Sequence, residues 1–313
     1  MGSSKRRSVI GLAGGALACC VVGLVAVTAQ AGQGPAPVAG PAGGLVVARG
    51  EAGGLAQSVV GVAQAKQGKS RVKLLAYHNG PVVTQGAAVT AIFWGSNWSN
   101  TSFAGDKISG LDTLYGGLGG TPYAGSNIEY TQSGGQHVSA AVTYGGHVFD
   151  GSTTSPGAPS TSAVLAVVAR KITNPVPNGY YPVYSDQPRG NAGYCAWHSS
   201  GTIGSVPVTF AFFFKLDGDA GCDPGDGGTV HSQGLEALAN VSGHEYSEMV
   251  TDPQLNAWYD SSGAENSDKC AWTFGPSVTL GGQSWKIQGN WSNAAYGTGR
   301  SYLGSGSGCI ETG

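Results

Sequence analysis

The chain has 313 residues and carries little charge: 16 basic and 18 acidic side chains give a formal charge of −2, and charged residues make up 11%, where about a quarter is usual. Hydrophobic residues at 41% suffice for a sizeable core, which excludes an intrinsically disordered chain. No basic run lies outside the extreme N-terminus, so the electrostatic footprint that neutralises phosphates is missing and nucleic acid is not an expected partner.

Residues 1–31 read as a signal peptide. Lys5-Arg6-Arg7 forms a basic start, residues 9–28 are apolar, and Ala29-Gln30-Ala31 supplies the small residues of a cleavage site. Export makes the protein secreted, extracellular or periplasmic, with no stable membrane association after cleavage. Residues 32–70 are rich in Gly, Ala, Val, Pro and Gln and lack aromatics, as expected of a flexible leader or pro-segment. Residues 71–313 are then a single globular domain, expected to be monomeric. Four cysteines remain after cleavage: Cys195, Cys222, Cys270 and Cys309. In an oxidising compartment they make two disulfides; of the three pairings, the sequence-adjacent one, Cys195–Cys222 with Cys270–Cys309, is favoured.

Buried strands are expected at residues 87–94, 140–144, 180–184 and 206–216, where β-branched and aromatic residues concentrate. Apolar residues at three-to-four spacing predict helices over 107–118 and 162–172. A longer helix over 232–250 follows a Gly/Asp-rich loop and ends at Asp252-Pro253. Gly281-Gly282 suggests a hairpin between residues 277–280 and 285–288. The fold class is therefore α/β, or a three-layer α+β arrangement, with a mixed sheet flanked by helices.

The chemistry concentrates in His244-Glu245-Tyr246-Ser247-Glu248 on the long helix. Residues four apart share a helix face, so His244 and Glu248 can reach one metal, while Glu245, about 100° around, points toward a water beside it. The arrangement resembles the zincin helix, with Glu in place of the usual second His. By similarity to thermolysin-type zincins, Glu265 is the expected third ligand and Asp268 the acid that orients the ligand imidazole, with Asp260 as the alternative ligand. The expected ion is Zn²⁺, and two carboxylates shift the preference toward harder cations. A second acidic segment gathers Asp217, Asp219, Asp223 and Asp226 within ten residues and makes a candidate Ca²⁺ loop, although it fails the EF-hand spacing. His198 and His231 are weaker candidates for the same cleft. Tyr180-Tyr181 and the aromatics of 285–291 are candidate sugar-stacking residues. No Gly-x-Ser-x-Gly nucleophile elbow occurs.

Tyr77-His78-Asn79-Gly80-Pro81-Val82-Val83, running into a hydrophobic strand, resembles the opening of the phosphate-induced/exordium family of secreted plant proteins and their microbial relatives. The strings Gly179–Tyr184, Tyr194–His198, Phe212–Phe214, His231–Leu235, His244-Glu245 with Thr251-Asp252-Pro253, and Glu265 with Cys270-Ala271-Trp272 look like the bacterial branch. The resemblance implies an apoplastic or wall-associated protein. Two functions are therefore expected. One is a secreted metal-dependent hydrolase acting on peptide or a cell-wall substrate, with His244, Glu248 and Glu265 on zinc and Glu245 as general base. The other is a non-enzymatic exordium-like protein that binds cell wall or carbohydrate.

Overall fold

Long runs in which both faces are apolar mark strands buried on two sides, and the computed structural model places them at the centre of a mixed sheet. It describes residues 46–47, 73–226, 230–299 and 308–312; the signal peptide and nearly all of the leader lie outside the described residues. In chain order the elements are β1 (Val46–Val47), β2 (Ala76–Tyr77), β3 (Ala87–Trp94), α1 (Thr101–Ala104), α2 (Lys107–Gly116), α3 (Pro122–Gly125), β4 (Val142–Asp150), α4 (Thr161–Lys171), β5 (Gly179–Pro188), β6 (Ala196–Ile203), β7 (Val206–Lys215), α5 (Gln233–Thr251), β8 (Trp258–Tyr259), β9 (Val278–Leu280), β10 (Gln283–Trp285), β11 (Asn290–Trp291), α6 (Asn293–Gly297) and β12 (Cys309–Ile310).

The main sheet runs β1-β6-β7-β5-β3-β4. Strands β4, β3, β5 and β7 are parallel, β6 is antiparallel to β7, and the two-residue β1 pairs antiparallel with β6. The chain passes from β3 outward to β4 and then back across β3 to β5. Right-handed crossovers in opposite directions put the connecting helices on opposite faces, so α2 covers one face and α4 the other. Helix α5 packs on α2 and against β6 and β7. The observed class is the expected α/β mixture. Strand β6 had no apolar run to announce it. Its hairpin with β7 turns on Gly204-Ser205, with Gly204 at φ 61°, a backbone position that glycine adopts without a Cβ clash. The predicted glycine hairpin is present as β9 and β10.

Both disulfides have the sequence-adjacent pairing, Cys195–Cys222 and Cys270–Cys309. The first ties the start of β6 to the loop after β7; the second ties the 265–270 segment to β12. The acidic loop does not gather its carboxylates around one point. Asp217 pairs with Lys107 at 2.6 Å, Asp219 takes two hydrogen bonds from Arg189, and Asp223 accepts from the Gly225 amide within its own turn. Two of the four carboxylates of the candidate Ca²⁺ loop thus have cationic partners, Lys107 and Arg189. The proposed sugar-stacking residues Tyr180, Tyr181, Trp285 and Trp291 are core residues, at most 5% exposed. Among the described residues, no helix is long and apolar enough to cross a membrane.

Glu236, in the first turn of α5, is 1% exposed, and burial with the nearby Asp226 pushes its pKa up to about 8. A raised folded-state pKa favours folding while the carboxyl is protonated. The contribution is full below the unfolded value near 4.3 and is lost as pH rises through about 8. Glu236→Gln should therefore match the wild type in Tm near pH 4 and exceed it progressively toward pH 9. A constant Tm difference across that range would contradict the assignment.

Candidate metal centre

Helix α5 is set up by its ends. Ser232 caps it by accepting from the Leu235 amide, and Asp106 in turn accepts from the Ser232 amide. At the other end, Asp252 and Pro253 stop it, and the Asp252 carboxylate accepts from the Asn256 and Ala257 amides. Between these ends every residue from Gly234 to Thr251 is buried. A helix enclosed on all sides leaves its polar residues no water, so His244, Glu245 and Glu248 must find partners within the protein.

Those partners come from three elements. His198 on β6 places Nδ1 3.3 Å from Glu245 Oε2 and 3.5 Å from Glu248 Oε2, and its Nε2 lies 3.8 Å from Glu265 Oε1. His244 Nε2 lies 2.9 Å from Glu248 Oε1 and 3.6 Å from Asp268 Oδ1. On its other side, His244 Nδ1 lies 3.0 Å from Gln288 Nε2, which also donates to the Ser267 carbonyl at 2.8 Å. The segment 265–268 is pinned under the helix: Ser267 Oγ donates to the His244 carbonyl, Asn266 Nδ2 donates to Asn127, and the Asp268 amide donates to Glu248 Oε1. The Cys270–Cys309 disulfide holds the end of that segment.

Two sets of three ligand atoms converge: His198 with Glu248 and Glu265, and His244 with Glu248 and Asp268. His198, Glu245 and Glu248 have fully buried side chains, His244 and Glu265 are 2–3% exposed, and Asp268 is 24% exposed. Among the described residues, five polar atoms of this cluster have no hydrogen-bond partner: His198 Nε2, His244 Nε2, Glu245 Oε1, Glu248 Oε2 and Glu265 Oε1. The 2.9 Å approach of His244 Nε2 to Glu248 is thus a contact without hydrogen-bond alignment. Natural proteins leave few buried polar atoms unsatisfied, and five in one cluster fit the donor set of a cation.

The cluster's electrostatics carry the same strain. Burial opposes the charged imidazole of His198, yet Glu265, Glu245 and Glu248 outweigh it and raise its pKa well above the ordinary value. His244 behaves likewise, driven up by Glu248, Asp268 and Glu245. Burial pushes Glu245 and Glu265 up. At Glu248 burial is overcome by the two imidazoles, and the carboxyl is lowered to about 2. Without a cation, protons hold this cluster together.

The structure redistributes the residues singled out in the sequence. His244 and Glu248 meet as the four-residue spacing requires. Glu265, however, faces His198 and not His244. Asp268 stands on the Nε2 side of His244, where a ligand would stand, and Gln288 takes the orienting place at Nδ1. Glu245 hydrogen-bonds His198 Nδ1 at 3.3 Å. Asp260 is not brought in: its carboxylate accepts from Ser262 and the Ala264 amide and lies 3.3 Å from Lys269. His231 stacks on Trp285 at 4.0 Å, away from the cluster. A groove of about 370 Å³ opens beside Pro81–Gln85, Asn178 and Pro253, and none of the cluster residues lines it.

In comparison with known proteins, the chain is similar to the protein named EXORDIUM-like 5 of Arabidopsis thaliana, at 27% identity over 224 residues, covering 62% of this chain and 61% of the relative. The chain thus spans about three-fifths of the length of the relative it matches. No family model matches the chain, and no solved structure matches it. The two disulfides and this relative fit an extracellular protein.

Close packing beneath the site depends on Gly243. A Cβ there would lie 2.6 Å from Ile287 Cγ2 and 2.8 Å from Tyr123 Oη, so the glycine lets the 285–288 segment, with Gln288, approach the helix. Gly243→Ala gains about 1 kcal/mol of helix propensity but overpacks a fully buried contact, at about 1–3 kcal/mol. The net expectation is a lower midpoint in urea unfolding. An unchanged or raised midpoint would contradict this packing.

Proposed function

We propose that the chain is an extracellular, non-enzymatic exordium-like protein whose buried His/carboxylate cluster binds a divalent cation that stabilises the fold. The observation that carries this reading is the burial of the donors combined with their five unpartnered atoms. A catalytic metal keeps one position open to water and substrate, whereas a structural metal is enclosed by protein ligands. Here only Asp268 reaches the surface appreciably, and the rest of the donor set is at most 3% exposed. Imidazole with carboxylate suits Zn²⁺ and harder first-row ions such as Mn²⁺. Similarity to the exordium-like relative supports the non-enzymatic side of the reading.

A metal-dependent hydrolase acting on peptides is the second reading, and one observation favours it: Glu245 keeps a buried, unpartnered Oε1 beside the cluster while its Oε2 engages His198. In that case Glu245 would take the proton of a metal-activated water.

Chelation separates both readings from a metal-free cluster. Dialysis against EDTA should lower Tm, and Zn²⁺ restored to a thousandfold excess over its Kd should return about 4 kcal/mol of stability. A Tm indifferent to chelation and to Zn²⁺ would overturn cation binding. Assay of the Zn²⁺-loaded protein on unfolded peptide substrates should show no turnover. Turnover that falls by a hundredfold or more in Glu245→Gln would overturn the non-enzymatic reading in favour of the hydrolase.

A further inference from the structure

Glu248 turns its two carboxylate oxygens in different directions. Oε1 faces His244 Nε2 at 2.9 Å, and Oε2 lies 3.5 Å from His198 Nδ1. Each oxygen belongs to a different group of converging donors: His198 and Glu265 lie on one side, His244 and Asp268 on the other. From this geometry we propose that the cluster is a dinuclear centre in which Glu248 bridges two divalent cations, one held with His198 and Glu265 and the other with His244 and Asp268. The proposal rests on the cation-binding reading above and goes beyond it in stoichiometry and in the role of each residue.

Charge leaves room for a second ion. Glu245, Glu248, Glu265 and Asp268 bring four carboxyls around two imidazoles, and the buried Asp252 lies within electrostatic reach of His198, Glu248 and Glu265. One divalent cation neutralises two of these acids, and the remainder need a second cation or protons, because uncompensated buried charge is strongly disfavoured. Of the five unpartnered atoms, His198 Nε2, Glu265 Oε1 and Glu248 Oε2 lie on the first side, His244 Nε2 lies on the second, and Glu245 Oε1 belongs to neither group. A bridging carboxylate with ions some 3.5–4 Å apart is the usual spacing of two-metal sites.

The partners behind the donors follow from this arrangement. A ligating imidazole donates its other N–H to an acceptor. At His198 that acceptor is Glu245, whose Oε2 lies 3.3 Å from Nδ1, so Glu245 is a positioning residue for the first ion. At His244 the neighbour of Nδ1 is the Gln288 side-chain nitrogen at 3.0 Å, which also donates to the Ser267 carbonyl.

The test is a metal count on the full secreted chain with both disulfides intact. The protein is stripped with chelator, titrated with Zn²⁺ alone, freed of excess ion by gel filtration, and analysed by mass spectrometry of the metal. The expected result is two Zn²⁺ per wild-type chain and one in each of His198→Ala and His244→Ala. Reconstitution with Mn²⁺ should give an exchange-coupled paramagnetic resonance spectrum that becomes mononuclear in either variant. One ion per wild-type chain overturns the dinuclear centre and leaves the cation-binding reading standing; no bound ion overturns both. Because the wild-type count and the Mn²⁺ spectrum need no substitution, a variant that fails to fold does not spoil the test.

Discussion

The constraint on which the rest of the structure depends is the enclosure of α5. A nineteen-residue helix buried on every side has room for polar side chains only where neighbouring elements meet them. The chain answers along one turn, at His244, Glu245 and Glu248, by bringing β6 from the sheet and the 265–268 segment from the C-terminal region to the same place. Sheet order makes this possible. Strand β6 is antiparallel to its neighbour β7, and helix α5, the first helix after β7, packs on both strands.

The same enclosure explains why so many supporting interactions are polar. Ser267, Asn266, Asn127, Asn290 and Gln288 are all buried and bond to one another or to the backbone of α5, so the donors are held by a network that is itself satisfied. Among the described residues eleven buried polar side-chain atoms lack a hydrogen-bond partner; five of them belong to the imidazoles and carboxylates of this cluster, and the other six are Tyr180 Oη, Asp217 Oδ2, Gln233 Nε2, Glu236 Oε2, Asn240 Nδ2 and Tyr246 Oη. Five unpartnered atoms converging in one cluster are the pattern of a ligand site. The disulfides brace the two arms: Cys195 sits three residues before His198, and Cys270 two residues after Asp268.

Much of this was legible in the sequence, and the remainder was hidden for physical reasons. Ser232 and Asp252-Pro253 bracketed α5 because caps and proline act locally, and the His-Glu-x-x-Glu spacing fixed which residues share a face. The strand that carries His198 was not legible. Ala196–Ile203 mixes His, Ser and Gly with few large apolar residues, although its first six residues are buried and His198 among them faces the cluster. The signal that could have found it is Gly204-Ser205, a two-residue glycine turn before an evident strand. Glu265 and Asp268 stood out as downstream acids, but which imidazole each would meet depended on long-range hydrogen bonds from Asn266 and Ser267 that spacing does not encode. Density of carboxylates in the Asp-rich loop says nothing about Lys107 and Arg189, which arrive from elsewhere in the chain to pair with Asp217 and Asp219.

The most direct measurement is anomalous diffraction at the zinc edge from crystals of the Zn²⁺-loaded protein. The account predicts anomalous density between His198 and Glu265 and between His244 and Asp268, with the carboxylate of Glu248 between the two positions. Crystals that bind no zinc there, and show the imidazoles hydrogen-bonded directly to the carboxylates, would contradict it.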